Sequence, residues 1–193
     1  GGGCPHILAE PQRTNFYINS EDFSQSNWIK NASTITINAV TSPDGLQNAD
    51  NLLDTTANNL HGLYQTYSAT ANDIITATIF VKKNNKQFMS FLTNNNGSSD
   101  RYAYFDLVNK TTHSLSTGIT ASIETYNNDW LRLSVTSTSG GGNPYYWWNI
   151  ALSNSTSVYT GDGTGSVYIW GAQLEIQSQA TAYIKSDGIA AVR

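Results

Sequence analysis

The sequence predicts an all-β protein built as a sandwich or a barrel, and three observations lead there. Asn, Ser and Thr supply 64 of the 193 residues, while charged residues make up only 12%. These small polar side chains compete with helical hydrogen bonds and favour strands, turns and caps. Short runs of alternating apolar and polar residues recur roughly every 10–20 residues, split by Gly, Pro, Asn and Asp, the spacing of an antiparallel domain. No stretch sustains a helical apolar period over three turns. With 5 Trp, 11 Tyr and 6 Phe, the chain has the apolar area for a core, and its length suits one domain with or without a tail.

The elements follow in order. Residues 1–13 (GGGCPHILAEPQR) hold three glycines, two prolines and no period, and read as an extended arm or linker ahead of a domain over 14–193. After the apolar run NFYI at 15–18, Ser20 opens S-E-D-F and is placed to cap one helical turn, with Phe23 and Trp28 as core anchors. TITINAV at 34–40 alternates, which puts Ile35, Ile37 and Ala39 on one face. In Ser42-Pro43-Asp44-Gly45 the proline presets φ and the glycine takes positive φ, a turn. ADNLL at 49–53 reads as a brief strand or a turn of helix. HGLYQTYS (61–68), IITATIFVK (74–82) and QFMSFLT (87–93) read as strands, the last two joined by a hairpin loop at 82–86. YAYFDL (102–107) precedes a turn at 108–111. Residues 122–126 lead through Asn127-Asn128-Asp129 into WLRLSVTS (130–137), and GGGNP (140–144) breaks the chain before YYWWNIAL (145–152). GDGTG (161–165) reads as a tight hairpin loop before SVYIWGAQLEI (166–176); it lacks the Lys-Ser/Thr ending of a phosphate-binding loop.

Charge and cysteine exclude several classes. A net charge of −4 with scattered Lys and Arg argues against a nucleic-acid partner. No apolar run approaches a membrane span, so no membrane insertion is expected. Cys4 alone permits neither a disulfide framework nor a Cys-rich zinc site. The start at Gly1 rather than Met points to a fragment or a processed product.

At this point several spaced motifs become informative together. GGGCPHILAEPQRTN, SEDFSQSNW and SPDG, then YAYFDLVN, IETYNNDWLRLSVT and YTGDGTGSVYIWGAQLEIQSQATAYI, resemble a domain of many phage tail, fibre and head-spike proteins. In that family G-A-Q-L-E is followed by A-T-x-Y-I, matched here at 180–184. The resemblance covers nearly the whole chain. It implies a jelly-roll β-sandwich related to the carbohydrate-binding modules of glycoside hydrolases, displayed on the surface of a phage virion. It also implies contacts with other virion proteins and a homo-oligomer, commonly a trimer. Related jelly rolls often hold a structural calcium near the join of first and last strands. Here Trp170 and Gly171 stand where such modules tend to have Asp, so no cofactor is expected; Glu21, Asp22 and Glu175 are the oxygen ligands left for a calcium.

Catalytic signatures are absent from the sequence. His6, His61 and His113 are isolated, with no G-x-S-x-G or H-E-x-x-H, and read as surface or loop residues. Cys4 has no basic neighbour to activate it. Glycoside hydrolysis needs two carboxylates across a cleft. Asp44, Asp129 and Asp162 lie in turn sequences, Asp106 ends a strand where it would be exposed, and nothing pairs them. The expectation is a domain that is not an enzyme.

The aromatic run Tyr145-Tyr146-Trp147-Trp148 is the strongest pointer to binding. Strand alternation with Ile150 and Leu152 inward puts Tyr146 and Trp148 inside, and Tyr145, Trp147 and Asn149 on the opposite face. The same rule turns Leu131, Leu133 and Val135 inward and Trp130, Arg132 and Ser134 outward. It buries Ile75, Ala77, Ile79 and Val81 and leaves Thr76, Thr78, Phe80 and Lys82 outside. A face of Tyr145, Trp147, Asn149, Arg132 and Thr78 would match the sugar-binding concave sheet of related modules, with rings against pyranose faces and polar groups on hydroxyls. Packing against another protomer and burial in the core are the competing readings of that face. The loops around His61–Tyr64 and Asn94–Gly97 are weaker rim candidates. The favoured function is a virion structural and adhesion domain that binds host-surface or mucus glycans. The alternatives are a purely architectural decoration domain and a module accessory to a polysaccharide-degrading enzyme.

Overall fold

The computed structural model describes residues 12–94 and 99–193, so most of the expected 1–13 arm, with Cys4 and His6, and most of the 94–97 rim loop lie outside the described residues. The strands in chain order are β1 (Thr14–Asn15), β2 (Ile29–Asn31), β3 (Ser33–Val40), β4 (Ala49–Asp54), β5 (Asn58–Thr66), β6 (Ala69–Lys83), β7 (Phe88–Asn94) and β8 (Asp100–Asp106). They continue with β9 (Thr111–His113), β10 (Ile119–Thr125), β11 (Trp130–Gly142), β12 (Tyr145–Ala151), β13 (Val158–Thr160), β14 (Ser166–Ile176) and β15 (Ala191–Val192). Helix among the described residues amounts to one 3-10 turn, Asn127–Asp129. None is long and apolar enough to cross a membrane.

The strands form the expected jelly-roll β-sandwich. One sheet has six strands in the order β10-β11-β6-β14-β4-β3, and the facing sheet has seven. In the second, the hydrogen-bonded order is β13-β5-β12-β7-β8-β9, and β2 also pairs with β5, Ile29 with Tyr64 and Asn31 with Gly62. The ladders are antiparallel, and β1 with β15 makes a separate two-stranded ribbon. Asn15 ties that ribbon to the six-stranded sheet. Its amide donates to Ala172 O at 3.0 Å and Ile184 O at 2.8 Å, and its Oδ1 accepts from Tyr17 N and Leu174 N.

Between the sheets lies one core. Ile75, Ala77, Ile79 and Val81 of β6, with Leu131, Leu133 and Val135 of β11, face Met89, Phe91, Phe105, Tyr146, Trp148 and Ile150 of the other sheet. Each such large side chain contributes on the order of 1.5–3 kcal/mol through burial. Phe23 and Trp28 anchor the N-terminal segment in that core, as expected. In β14 the alternation changes parity. Val167 and Ile169 point in, then Ala172 and Leu174, because a bulge at Gly171 (φ +59°) inserts one residue between Trp170 and Gln173.

Several local expectations fail for identifiable reasons. Ser20 caps no helix: it is buried, its Oγ shares a 2.7 Å hydrogen bond with Tyr183 Oη, and its backbone pairs with Ser186. Ile37 is 53% exposed, because Asn38 takes φ +53° and the β3–β4 register shifts between Thr36 and Val40. His61 is neither surface nor loop. It sits inside β5 at 0% exposure, with Nδ1 2.6 Å from Ala32 O and Nε2 3.0 Å from Tyr159 O. Asp106 is buried as well; it accepts from Val108 N, Asn109 N and Gln87 Nε2 and so holds the turn after β8. The GDGTG segment is no hairpin, since β13 belongs to one sheet and β14 to the other.

Candidate functional site

The five residues expected on one face are divided between two. Tyr145, Trp147 and Asn149 lie on β12 in the seven-stranded sheet, whereas Arg132 on β11 and Thr78 on β6 lie in the six-stranded sheet. All five point outward, but from opposite sides of the sandwich, with about 10 Å between the two sheets alone. No single ligand ring touches both groups.

Arg132 and Thr78 are also covered. Residues 177–188 fold back across the outer face of the six-stranded sheet, where Arg132 Nη1 donates to Thr181 O at 2.7 Å and Nη2 to Thr78 Oγ1 at 3.1 Å. Beside them Phe80, Trp130 and Trp170 form a second apolar cluster with Tyr126 and Tyr183 packed on it. The strap is pinned by Glu175, which accepts from the Thr181 amide at 3.1 Å and from its hydroxyl, and by Gln173 Oε1, which accepts from Ile184 N at 2.6 Å. A polar trough of about 460 Å³ remains on that sheet, lined by Thr120, Ser122, Glu124, Arg132, Ser134, Thr136 and the strap; no ring lines it.

The carboxylates considered for calcium are held by protein donors. Glu21 accepts from Tyr183 Oη at 3.1 Å and Lys185 Nζ at 2.7 Å, Asp22 from Ser24 and Gln25, and Glu175 from Thr181. Among the described residues no three His, Cys, Asp or Glu converge.

The outer face of the seven-stranded sheet differs in kind. Cross-strand register places Tyr64 and Leu92 on either side of Trp147, Gly62 and Ser90 on either side of Asn149, and Tyr102 and Tyr104 beyond Leu92 and Ser90. Ring centroids are 4.8 Å apart for Tyr64 and Trp147, 5.9 Å for Tyr145 and Trp147, and 6.0 Å for Tyr64 and Tyr145. Tyr102 and Tyr104 stack in parallel at 6.0 Å. Tyr64, Tyr102, Tyr145 and Trp147 are half-buried, so their rings retain solvent access. The Tyr145 hydroxyl donates to Asp100 at 2.6 Å; burial first, then that carboxylate, holds its proton well above the ordinary phenol range. Asn149 departs from expectation: it faces outward yet is 0% exposed.

The sequence offers Tyr64 only as part of a rim loop, whereas it lies within β5 on the sheet face, and it does not mark Tyr102 and Tyr104 as site residues, although a signal exists. In HGLYQT a buried Leu63 forces Tyr64 to the opposite face, and in YAYF the small Ala103 between two tyrosines marks the inward side. The face exposes ring surfaces, with the Asn149 carboxamide and the Ser90 hydroxyl buried beside them.

No protein-family model matches the chain, and no curated sequence matches it. Among solved structures, an exo-β-agarase is similar over 86% of this chain and 25% of its own, with TM-score 0.51 and 10% identity. The enzymatically active domain of tailspike protein 4 of bacteriophage CBA120 covers 83% of this chain and 21% of its own, with TM-score 0.49 and 13% identity. TmCBM61, solved with β-1,4-galactotriose, covers 83% and 97%, with TM-score 0.48 and 12% identity. At 10% identity the similarity to the agarase is one of fold. The chain spans about a quarter of the agarase and a fifth of the tailspike chain.

Proposed function

We propose that this domain binds glycans through the outer face of β5, β12, β7 and β8, and does so without catalysis, as an adhesion domain on the surface of a phage virion. The observation that carries the binding reading is the Tyr64–Trp147–Tyr145 cluster, three half-buried rings in mutual contact on a sheet face beside a buried amide. Flat apolar ring faces bury the C–H faces of pyranoses, and polar groups at the margin orient the hydroxyls. The virion setting rests on the sequence motifs that resemble phage fibre and spike domains, and homo-oligomeric assembly belongs to the same reading.

The test is a glycan and bacterial-polysaccharide array with wild type beside Trp147→Ala and Tyr64→Ala, each checked for folding. Removing one central ring is expected to lower affinity by about 10–100-fold, the equivalent of roughly 1.4–2.8 kcal/mol. Binding that survives both substitutions unchanged contradicts this face as the site. A wild type that binds no glycan as an intact assembly contradicts the function.

A further inference from the structure

Next to the rings, the same face holds a group of polar atoms with nothing to bond. Asn149 and Ser90 are register partners on β12 and β7, and both are 0% exposed. Nδ2 and Oδ1 of Asn149, Oγ of Ser90 and Nε1 of Trp147 are all buried, and none has a hydrogen-bond partner among the described residues. Buried polar groups are nearly always satisfied, because an orphaned one keeps its full desolvation penalty. Several orphans in adjoining register positions therefore call for an occupant.

The neighbouring strand is shaped to the amide. Gly62 is the register partner of Asn149 on β5. A Cβ at position 62 would stand 2.1 Å from the Trp148 backbone oxygen and 2.6 Å from Asn149 Oδ1, so the close backbone already requires glycine, and the glycine also leaves room for the carboxamide. Glycine inside a strand otherwise weakens it, and its usual meaning there is close approach of a backbone or a ligand. On the other side Tyr104, the partner of Ser90, reaches Ser157 with its hydroxyl at 3.3 Å, so its phenol spans from β8 toward the turn that follows β12.

We infer that Asn149 and Ser90 are the specificity-determining residues of this face and read two adjacent hydroxyls of a hexopyranose whose ring stacks on Trp147 and Tyr64. This inference rests on the glycan-binding reading above. A carboxamide presents a donor and an acceptor side by side, and Ser90 adds a hydroxyl that does either. One hydroxyl of a vicinal diol accepts from Nδ2 while its neighbour donates to Oδ1; a single ligand oxygen satisfies only part of the set. Positions 147 and 149 are about 6.8 Å apart along the strand, so one sugar unit reaches both. Entry displaces the Tyr104 phenol from its long contact with Ser157.

The test is an NMR titration that follows the Trp147 indole N–H, with the methyl glycosides of glucose, galactose and mannose and their 2-, 3- and 4-deoxy counterparts as probes. Wild type, Trp147→Ala, Asn149→Leu and Ser90→Ala are compared by ligand-observed binding, and thermal unfolding is measured in parallel. The expected result is at least a tenfold loss of affinity in Asn149→Leu and Ser90→Ala with Tm unchanged or raised. Removing either of two adjacent sugar hydroxyls should then reproduce the loss, and removing the third should not. If Asn149→Leu fails to fold, the gentler Ser90→Ala decides by the same criteria. Binding that survives both polar substitutions but not Trp147→Ala overturns the diol inference and leaves the glycan face standing, with ordered water as the occupant. Absence of binding to every probe, or indifference to Trp147→Ala, removes the glycan reading and this inference with it.

Discussion

On the six-stranded sheet the outward side chains Trp130, Phe80, Trp170, Thr78 and Arg132 are at most 5% exposed, because residues 177–188 return across the last four and Trp130 packs with Val40 and Ala49 and bonds Thr41. On the seven-stranded sheet the outward rings of Tyr64, Tyr145 and Trp147 stay half-buried, and their ring neighbours are one another. Both faces obey the same strand alternation. The difference is whether a later piece of chain supplies partners. Where it does, Arg132 is tied through both Nη atoms, although its Nε and Trp170 Nε1 keep no partner among the described residues; where it does not, Asn149 and Ser90 have no side-chain partner at all among those residues. Outward orientation is a local property of a strand, and exposure is not.

That contrast is sharpest for two tryptophans. Trp130→Ala on the covered face removes a ring at 0% exposure, whose Nε1 also donates to Thr41 O at 3.1 Å. It should destabilise the domain by about 3–5 kcal/mol in urea unfolding. Trp147→Ala should cost no more than about 1 kcal/mol in the same assay while weakening glycan binding. Equal stability losses would break the distinction between the faces.

Arg132→Met comes next. It deletes the bonds to Thr181 O and Thr78 Oγ1 and is expected to cost about 1.5–3 kcal/mol, with glycan affinity unchanged. Tyr183→Phe removes the hydroxyl shared with Ser20 and donated to Glu21, which should cost about 1 kcal/mol and raise hydrogen exchange across 177–188 without altering exchange in β12.

A further effect is one of pH. Burial pushes the Asp50 carboxyl up to about 6 against the pull of the Asn38 and Phe23 amides, which donate to it at 2.9 Å. The folded state therefore holds this proton more tightly than an unfolded chain does. The stabilisation from that proton is fully present below the ordinary value of 3.8 and is lost as pH rises through about 6. Across that window Tm of wild type should fall relative to Asp50→Asn; parallel curves would contradict the shift.

Much of the fold was legible because alternation is strong where a strand packs on the core. IITATIFVK, WLRLSV and YYWWNI sort as alternation predicts, but Leu152, expected inward, lies past the end of β12 and is 53% exposed. Sheet membership was not legible, because it depends on pairings across long sequence separations. WLRLSV pairs with IITATIFVK, and YYWWNIA pairs with HGLYQT and FMSFLT, yet all show the same period. Arg132 and Thr78 were joined to Trp147 for that reason. The strap was equally silent. Thr181, Tyr183 and Ser186 work through single side-chain and backbone bonds in a segment without regular structure, and such bonds leave no period to read. The orphaned amide was visible only as an outward Asn, and its burial depends on neighbours from three strands.

The most direct measurement is calorimetric titration of one array-selected glycan into wild type, Trp147→Ala and Arg132→Met under identical conditions. Placing the site on the seven-stranded face predicts a loss of at least tenfold for Trp147→Ala and an unchanged affinity for Arg132→Met. The reverse pattern, with Arg132→Met losing the glycan and Trp147→Ala keeping it, would move the site to the strapped sheet and contradict the account.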